Sequence, residues 1–399
     1  MNRFTSTTIA LLFTLGLGCA DDGSTDKASR PLDPYAPVRA ANPGLCAPAT
    51  AFSYALCTCE NLTQVGVLKV GAGASGEGSV GVNGISAVAN ASEVSGSWVS
   101  WKEMAAATGS RIGGSLRSGG DVKAAGALSV GKDLAVKQNL TGAGLLNVGG
   151  ALRVGGNDLF IGVKQVAGGR GAFDGPTAPP CGCDAATLFD VAGAVAQART
   201  KNDNAAHGIS SGAQLDIGVQ RLVLDTGRYY FQGVTNIGAG VLNIRGNVAI
   251  YIDGNLQEIG AEAIRLEPGA TLDLYVSGAV RLVGLAPLGD RHSPSSFRLF
   301  VGGSDRLSVG AGVQEFFGSI YAPTAPIALA GVTIVWGSLF AKEVIDAGVL
   351  SINHGGALPT CTPPIDVPPP AGNPPTTTTP PPSTPPPSMP SMPAPVVIQ

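Results

Sequence analysis

The chain of 399 residues carries 57 Gly and 30 Pro, with 13% charged and 44% hydrophobic residues. It is too apolar for a disordered chain and too glycine-rich for a helical one, so a packed, strand-rich body is expected. The net charge is −3 with three His, which gives no basic footprint for nucleic acid and too small an acidic excess to call for a basic partner.

Near the N-terminus, Arg3 precedes an apolar stretch from Ile9 to Leu17. It is too short to span a bilayer and reads as a secretory signal over residues 1–18. The segment Leu15 to Cys19 resembles a bacterial lipobox, with Gly16 where Leu is usual. That resemblance implies acylation of Cys19, and Ala20 behind it implies delivery to the outer membrane. The expected partner is therefore a membrane, reached through a lipid anchor, with the body on the periplasmic or cell-surface face. Residues 19–45 are polar, carry Pro31, Pro34, Pro37 and Pro43, and suit an extended tether.

A repeat of 18 residues then dominates: Gly78-Ser79-Val80, Gly96-Ser97-Trp98, Gly114-Ser115-Leu116, Lys132-Asp133-Leu134 and Gly150-Ala151-Leu152. Val94, Ile112, Val130 and Val148 keep the same phase four positions ahead of the apolar anchors. Eighteen residues hold three strands of about six residues each, the coil of a parallel β-solenoid whose rungs bury their apolar faces only by stacking. The block is placed at residues 46–175, its rungs running from about Val65 to Gly169. Trp98-Val-Ser-Trp101-Lys-Glu-Met104-Ala-Ala-Ala departs from the small-residue rhythm and reads as a short helical excursion.

Residues 176–210 form a Cys-x-Cys linker followed by a helix over 185–200, since Leu188, Val191 and Val195 recur at helical spacing. A helix capping one end of the solenoid would cover unpaired strand edges and apolar core. Strands return over 211–358 with a looser period: Tyr251-Ile-Asp-Gly254 matches Tyr275-Val-Ser-Gly278 and Phe300-Val-Gly-Gly303, and Gly318-Ser-Ile-Tyr-Ala322 matches Gly337-Ser-Leu-Phe-Ala341. Rungs of variable length favour a right-handed solenoid. Stacked end to end, the two blocks would make a rod of roughly 50 to 60 Å at ~4.8 Å per rung. Residues 359–399 form a Pro/Thr/Ser-rich polyproline tail. The fold class is thus all-β: a right-handed parallel β-helix in two blocks, with one short helix, a disordered N-terminal tether and a Pro-rich C-terminal tail.

Setting Cys19 aside, Cys46, Cys57, Cys59, Cys181, Cys183 and Cys361 lie near block boundaries. An even count in an exported chain suggests disulfides. The preferred pairing bonds Cys57 and Cys59 to Cys181 and Cys183, and Cys46 to Cys361; a four-thiolate zinc site is the alternative, disfavoured by the pair spacing.

Signals for chemistry are sparse. Gly71-Ala-Gly73-Ala-Ser-Gly76 follows a strand with the spacing of a dinucleotide fingerprint, but no helix follows to hold a pyrophosphate. His207, His292 and His354 are far apart and read as surface or loop residues. Asp225, Asp253 and Asp273 are the strand-borne aspartates at near-rung spacing, which a carbohydrate-active β-helix would need clustered in a groove. Neither a cofactor nor a metal is expected. Trp98, Trp101, Tyr229, Tyr230, Tyr251, Tyr275, Phe316, Phe317, Tyr321 and Trp336 read mostly as core or stacked ladders, with a few left to bind sugars or a protein edge.

At Tyr54-Ala-Leu-Cys-Thr-Cys59, Asn202-Asp-Asn204, Gly227-Arg-Tyr-Tyr-Phe231, Phe317-Gly-Ser-Ile-Tyr-Ala-Pro323 and Gly337-Ser-Leu-Phe-Ala-Lys342, the chain resembles uncharacterised myxobacterial-type surface lipoproteins. Their β-solenoid module is similar to that of choice-of-anchor adhesin-like proteins, and the 18-residue block is similar in style to bactofilin coils. The resemblance implies surface display and adhesion rather than a reaction. The expected function is a structural or adhesive, non-enzymatic component of the bacterial cell envelope, with a glycan or matrix-protein ligand. The alternatives are a carbohydrate-active β-helix enzyme and a scaffold that self-associates through its solenoid ends.

Overall fold

The 18-residue repeat folds as one coil because apolar and polar positions alternate over three short runs separated by tight corners. In one rung these runs are Trp98–Ser100, Met104–Ala106 and Ser110–Ile112, each with its first and last residues buried. Each run pairs in parallel with its counterpart one repeat away, Val80↔Trp98↔Leu116↔Leu134↔Leu152 on the first face. The second and third faces follow the same step, Ser86↔Met104↔Val122 and Ser92↔Ser110↔Leu128. The structure, a computed structural model, describes residues 49–355 except 73–77, 176–177, 211, 217–220, 237–239, 258–263, 283–287 and 310–312. Cys19, Cys46, Cys361, the signal, the tether, the tail beyond 355 and most of the Gly71 to Gly76 segment lie outside the described residues.

The described residues form an all-β parallel solenoid with one short α-helix. In the last three rungs of the first block the second and third faces merge into nine-residue strands, Val122–Val130, Leu140–Val148 and Asp158–Val166. These bend at a ladder of Gly126, Gly144 and Gly162. Gly144 has φ +130°, and a Cβ there would lie 2.0 Å from the Gly126 carbonyl oxygen, so the bend admits no side chain.

The helical excursion expected at Trp98 to Ala107 does not form. Trp98 points into the solenoid, fully buried, and its indole N–H donates to Ser86 Oγ at 3.3 Å. Inward Ser86, Ser92 and Ser110 leave room that the indole fills, while Met104-Ala-Ala stays in register as a strand. The composition suits a helix, but pairing with neighbours on both sides overrides local propensity.

The order of the two blocks along the stack differs from their order in the chain. In the second block the first face runs Tyr230↔Tyr251↔Tyr275↔Phe300↔Tyr321↔Phe340. Phe340 then pairs with Cys57, and Cys57 with Gly81. The last rung of the second block thus stacks directly on the first rung of the first. The chain enters at the middle of one continuous stack, winds to one end at Arg170–Gly171, returns along the outside, and winds back from the far end to stop beside its own start. Twelve successive pairings on the first face link Gly227–Phe231 to Arg170–Gly171, which at ~4.8 Å per step is about 60 Å. The first rung begins at Leu56, not Val65, and the step to the next rung is Leu56↔Val80, longer than 18 residues, which hides this rung from the period.

The apolar interior is continuous through the junction, where Leu56, Leu62 and Leu68 meet Leu339, Val344 and Leu350. Backbone bonds cross it as in any rung, such as Leu339 N–H to Ala55 O at 2.9 Å and Val67 N–H to Gly348 O at 2.9 Å. One polar pair is buried there. Gln64 Nε2 donates to Asp346 Oδ2, and the Gly348 N–H donates to Asp346 Oδ1 at 3.2 Å. Burial raises the Asp346 carboxyl above its ordinary 3.8, against the lowering pull of these two bonds. A carboxyl whose folded value is raised stabilises the fold below its unfolded value, and that contribution is lost as pH rises through the folded value. Asp346→Asn removes the charge and can still accept from Gln64 Nε2, which also donates to Gly348 O at 3.2 Å, at the cost of the weaker Gly348 N–H contact. Relative to the wild type it is expected to melt about 1–3 °C higher at pH 7, with the gap closing below about pH 3.8. Thermal melts of both proteins across this range check it; a variant that melts lower by the same amount at every pH contradicts it.

Candidate functional site

The return segment is a strap. It leaves the last rung at Gly171 and runs back over the first face to Asn204. Early in its course Arg117 lies over the Phe173 ring at 5.2 Å, and Arg153 pairs with Asp174 at 3.6 Å. At mid-stack Cys57–Cys181 and Cys59–Cys183 form disulfides. Asn83 fastens the same point, its Nδ2 donating to Cys181 O and its Oδ1 accepting from Cys181 N–H, both at 2.9 Å. Gly81 lies beneath, where a Cβ would come within 3.1 Å of both Cys57 Sγ and Cys181 Sγ.

Beyond the disulfides the strap covers the aromatic ladder. Tyr251, Tyr275 and Phe300 stack with centroids 4.7 and 4.6 Å apart, and Phe189 lies across Tyr275, Phe300 and Tyr321 at 6.0, 5.9 and 6.4 Å. The Tyr321 hydroxyl accepts from the Phe189 N–H at 2.9 Å. Helix α1, Val191–Ala198, follows, N-capped by Asp190, with Val191, Ala194, Val195 and Ala198 buried against the ladder. The described residues therefore form two apolar clusters, one inside the coil and one between strap and coil. Burial raises the Tyr251 hydroxyl to about 12 and Tyr275 well above its ordinary value. The ladder contributes apolar area, not acid–base chemistry.

These contacts correct two expectations. The helix is shorter than 185–200, because Leu188 and Phe189 are spent as extended anchors and Asp190 starts the first turn. It also lies along a side of the stack, not across an end. End-capping falls to the residues after it. Asn204, 1% exposed, bonds both backbone groups of Tyr230, at 2.7 Å to its carbonyl and 3.0 Å from its N–H, and Asp203 Oδ2 accepts from the Arg228 N–H at 2.8 Å. Asn202-Asp-Asn204 thus occupies the free edge of Gly227–Phe231, which would otherwise carry unpaired backbone groups. Cys57 and Cys59 sit in the first rung, and their bonds fix the strap to the block junction.

The carboxylates of Asp253 and Asp273 are engaged in structure, and Asp225 is held through its backbone. Asp253 accepts from Tyr230 Oη at 2.7 Å and pairs with Arg199 of the strap, and the Arg199 bond holds its carboxyl below the usual range. Asp273 and Arg298 form a buried fork at 2.5 and 2.6 Å. The Asp225 carbonyl accepts from Tyr229 Oη at 2.8 Å. His207 packs at 5.0 Å on Tyr229 and His292 is exposed. His354 departs from the surface reading: it is 4% exposed, with Nε2 3.3 Å from Phe52 O. Trp101 is 41% exposed at a corner, while the Tyr230 to Phe340 ladder is covered.

With the first face strapped, the second and third faces of the first block remain open. A shallow groove of about 410 Å³ runs along the second, floored by Ala87, Ala105, Ala107 and Ala125. On the third, Lys69, Glu93 and Arg111 form an in-register ladder of alternating charge beside a groove of about 380 Å³. Such cross-strand pairs of opposite sign favour register at a solvated face. Leu145, Leu159, Ile161 and Val163 stand exposed at the end of the block. Among the described residues no group of three or more His, Cys, Asp or Glu is arranged to hold a metal ion.

Because each disulfide spans 124 residues of sequence, the first to form stabilises by about 5 kcal/mol in the chain-entropy account, and the second, closing a small ring, adds little. Cys57→Ser alone or Cys59→Ser alone should therefore lower the melting temperature only slightly, and the double variant by several degrees. Equal losses from each single variant and an additive double loss, measured by calorimetry, would contradict this account.

A family described only as Domain of unknown function (DUF7305) matches residues 183–360, the strap from its second disulfide onward together with the second block. No curated protein and no solved structure matches the chain.

Proposed function

We propose that this protein is an exported, lipid-anchored, non-enzymatic β-solenoid that presents its open faces at the outer membrane in a structural or adhesive role. The observation that carries this reading is the pair of disulfides locking the strap to the stack, since such bonds persist in oxidising compartments. The lipobox-like segment ending at Cys19 supplies the anchor. The described chain starts and stops at one level of the stack, with Phe52 O beside His354 Nε2. The partner is a glycan or matrix protein laid along the small-residue groove and the charged ladder, which repeat with the rung spacing as an extended ligand would require.

Two readouts test it. Cells producing the full chain and fed an alkyne fatty acid should yield a labelled protein in the outer-membrane fraction, with Cys19→Ser losing at least about nine-tenths of the label and moving to the soluble fraction. The purified chain should bind members of a glycan and matrix-protein panel, with binding reduced on introducing Ala105→Arg or Ala125→Arg in the groove. Label that survives Cys19→Ser overturns the anchor, and a panel without binders overturns adhesion.

A further inference from the structure

We infer that the end of the stack at Asp158–Val166 is a self-dimerisation surface, joining two copies head to head through antiparallel pairing of this strand about a twofold axis at Ile161. Among the described residues, this nine-residue strand pairs with Leu140–Val148 on one side and with nothing on the other. Asn157 O and Ala167 N, at its two ends, bond inward to Leu140 N and Val148 O at 2.9 and 3.0 Å. Backbone groups alternate sides along a strand, so Asp158, Phe160, Gly162 and Lys164 direct theirs toward the open end. Outward from the sheet stand Leu159, Ile161 and Val163, at 59%, 73% and 57% exposure.

The charge pattern selects the occupant. The interior ladders turn polar in this last rung: Leu140 is followed by Asp158, Leu146 by Lys164 and Leu152 by Arg170. Lys164 Nζ pairs with Asp158 Oδ1 at 2.7 Å across the end of the core, 6.0 Å from the Phe160 ring centroid. Inward charges of this kind deter an arbitrary strand, which would bury them against apolar neighbours. An antiparallel copy centred on Ile161 does not. It sets Asp158 opposite the other copy's Lys164, Phe160 opposite Gly162, Leu159 opposite Val163 and Ile161 opposite itself. The first two are the hydrogen-bonded pairs and the last two the close pairs whose side chains touch. Charge, size and apolarity all match under the same twofold operation, as a closed isologous interface requires.

Growth stops at two copies. Among the described residues, the first-face strand at the other end of the stack is covered by Asp203 and Asn204, so that edge offers no second template for addition.

Sedimentation equilibrium of the full chain in detergent tests the assignment. The wild type should be a dimer of the 39.9 kDa chain. Ile161→Lys should weaken association at least about tenfold, and Lys164→Glu should do the same through like charges inside and across the interface. The double variant Asp158→Lys/Lys164→Asp should return association to within about threefold of wild type, because both sets of pairs are restored. Ile161→Cys should form a covalent dimer on mild oxidation, whereas Cys at exposed Trp101 should not. Circular dichroism and melting of each variant show that the solenoid is intact. A monomeric wild type, a dimer indifferent to Ile161→Lys, a charge swap that fails to rescue an intact fold, or open-ended filaments would each overturn the proposal.

Discussion

A parallel strand has two hydrogen-bonding edges, and leaving one bare in a long sheet exposes a row of backbone groups that water or a stray strand must satisfy. Most of this structure follows from how the chain meets that requirement where its two blocks end. The first rung, Leu56 to Ala72, would be the bare edge of one block, and Leu339 to His354 that of the other. They pair with each other residue for residue, Leu56↔Leu339, Leu62↔Val344 and Val67↔Val349. Two exposed edges and two open ends of apolar core are thereby removed at one junction. The cost is a topological demand: the chain must travel from one end of the stack to the other before it can wind back.

The strap meets that demand and gains a packing role in doing so. The aromatic ladder from Tyr230 to Phe340 points outward from the coil and would be a large exposed apolar patch without cover. Phe189 and the apolar stripe of α1 convert it into a second core. The ladder ends where Phe340 pairs with Cys57, and there aromatic packing gives way to a covalent bond. Past that point the first-face outward positions are Gly81, Val99 and Arg117, and the strap is held by the Asn83 bonds to Cys181, the Arg117–Phe173 contact and the Arg153–Asp174 ion pair. The strap is therefore tightest over the block with irregular rungs, which has the greater need of external support, and lightest over the uniform 18-residue coils.

What the amino-acid sequence disclosed was the part of the fold carried by local repetition. The ladders Val80–Trp98–Leu116–Leu134–Leu152 and Tyr251–Tyr275–Phe300 could be read directly because each rung resembles its neighbour in the chain. Pairing of Phe340 with Cys57 could not, since those residues are not repeats of one another and are brought together only by the requirement to cover edges. The same limit explains Asn204, whose side chain stands in for a missing strand at Tyr230 with no periodic signal. Met104-Ala-Ala-Ala misleads in the opposite direction, helix-forming composition held extended by neighbours on both sides. Within the candidate site, disulfide bonding among Cys57, Cys59, Cys181 and Cys183 was legible from the even count, while which cysteine bonds which stayed open among fifteen connectivities. The self-complementary run from Asp158 to Lys164 was not, because it acquires meaning only once it is known to be the last rung.

Taken together, the described residues form one stack fastened at its middle by the block junction and the two disulfides, with one end covered by Asp203 and Asn204 and the Asp158–Val166 edge open at the other. Everything functional in this account presumes that the two blocks are one cooperative stack and not two solenoids on a linker. Hydrogen exchange followed by mass spectrometry on the full chain reads this most directly. The account predicts that amides of Leu62–Gln64, Val67–Ala72 and Val349–His354 exchange as slowly as those of Leu116–Ser118 deep in the first block, and are lost in the same unfolding event. Exchange at these junction strands as fast as at the corner segments, with the two blocks opening independently, would contradict it.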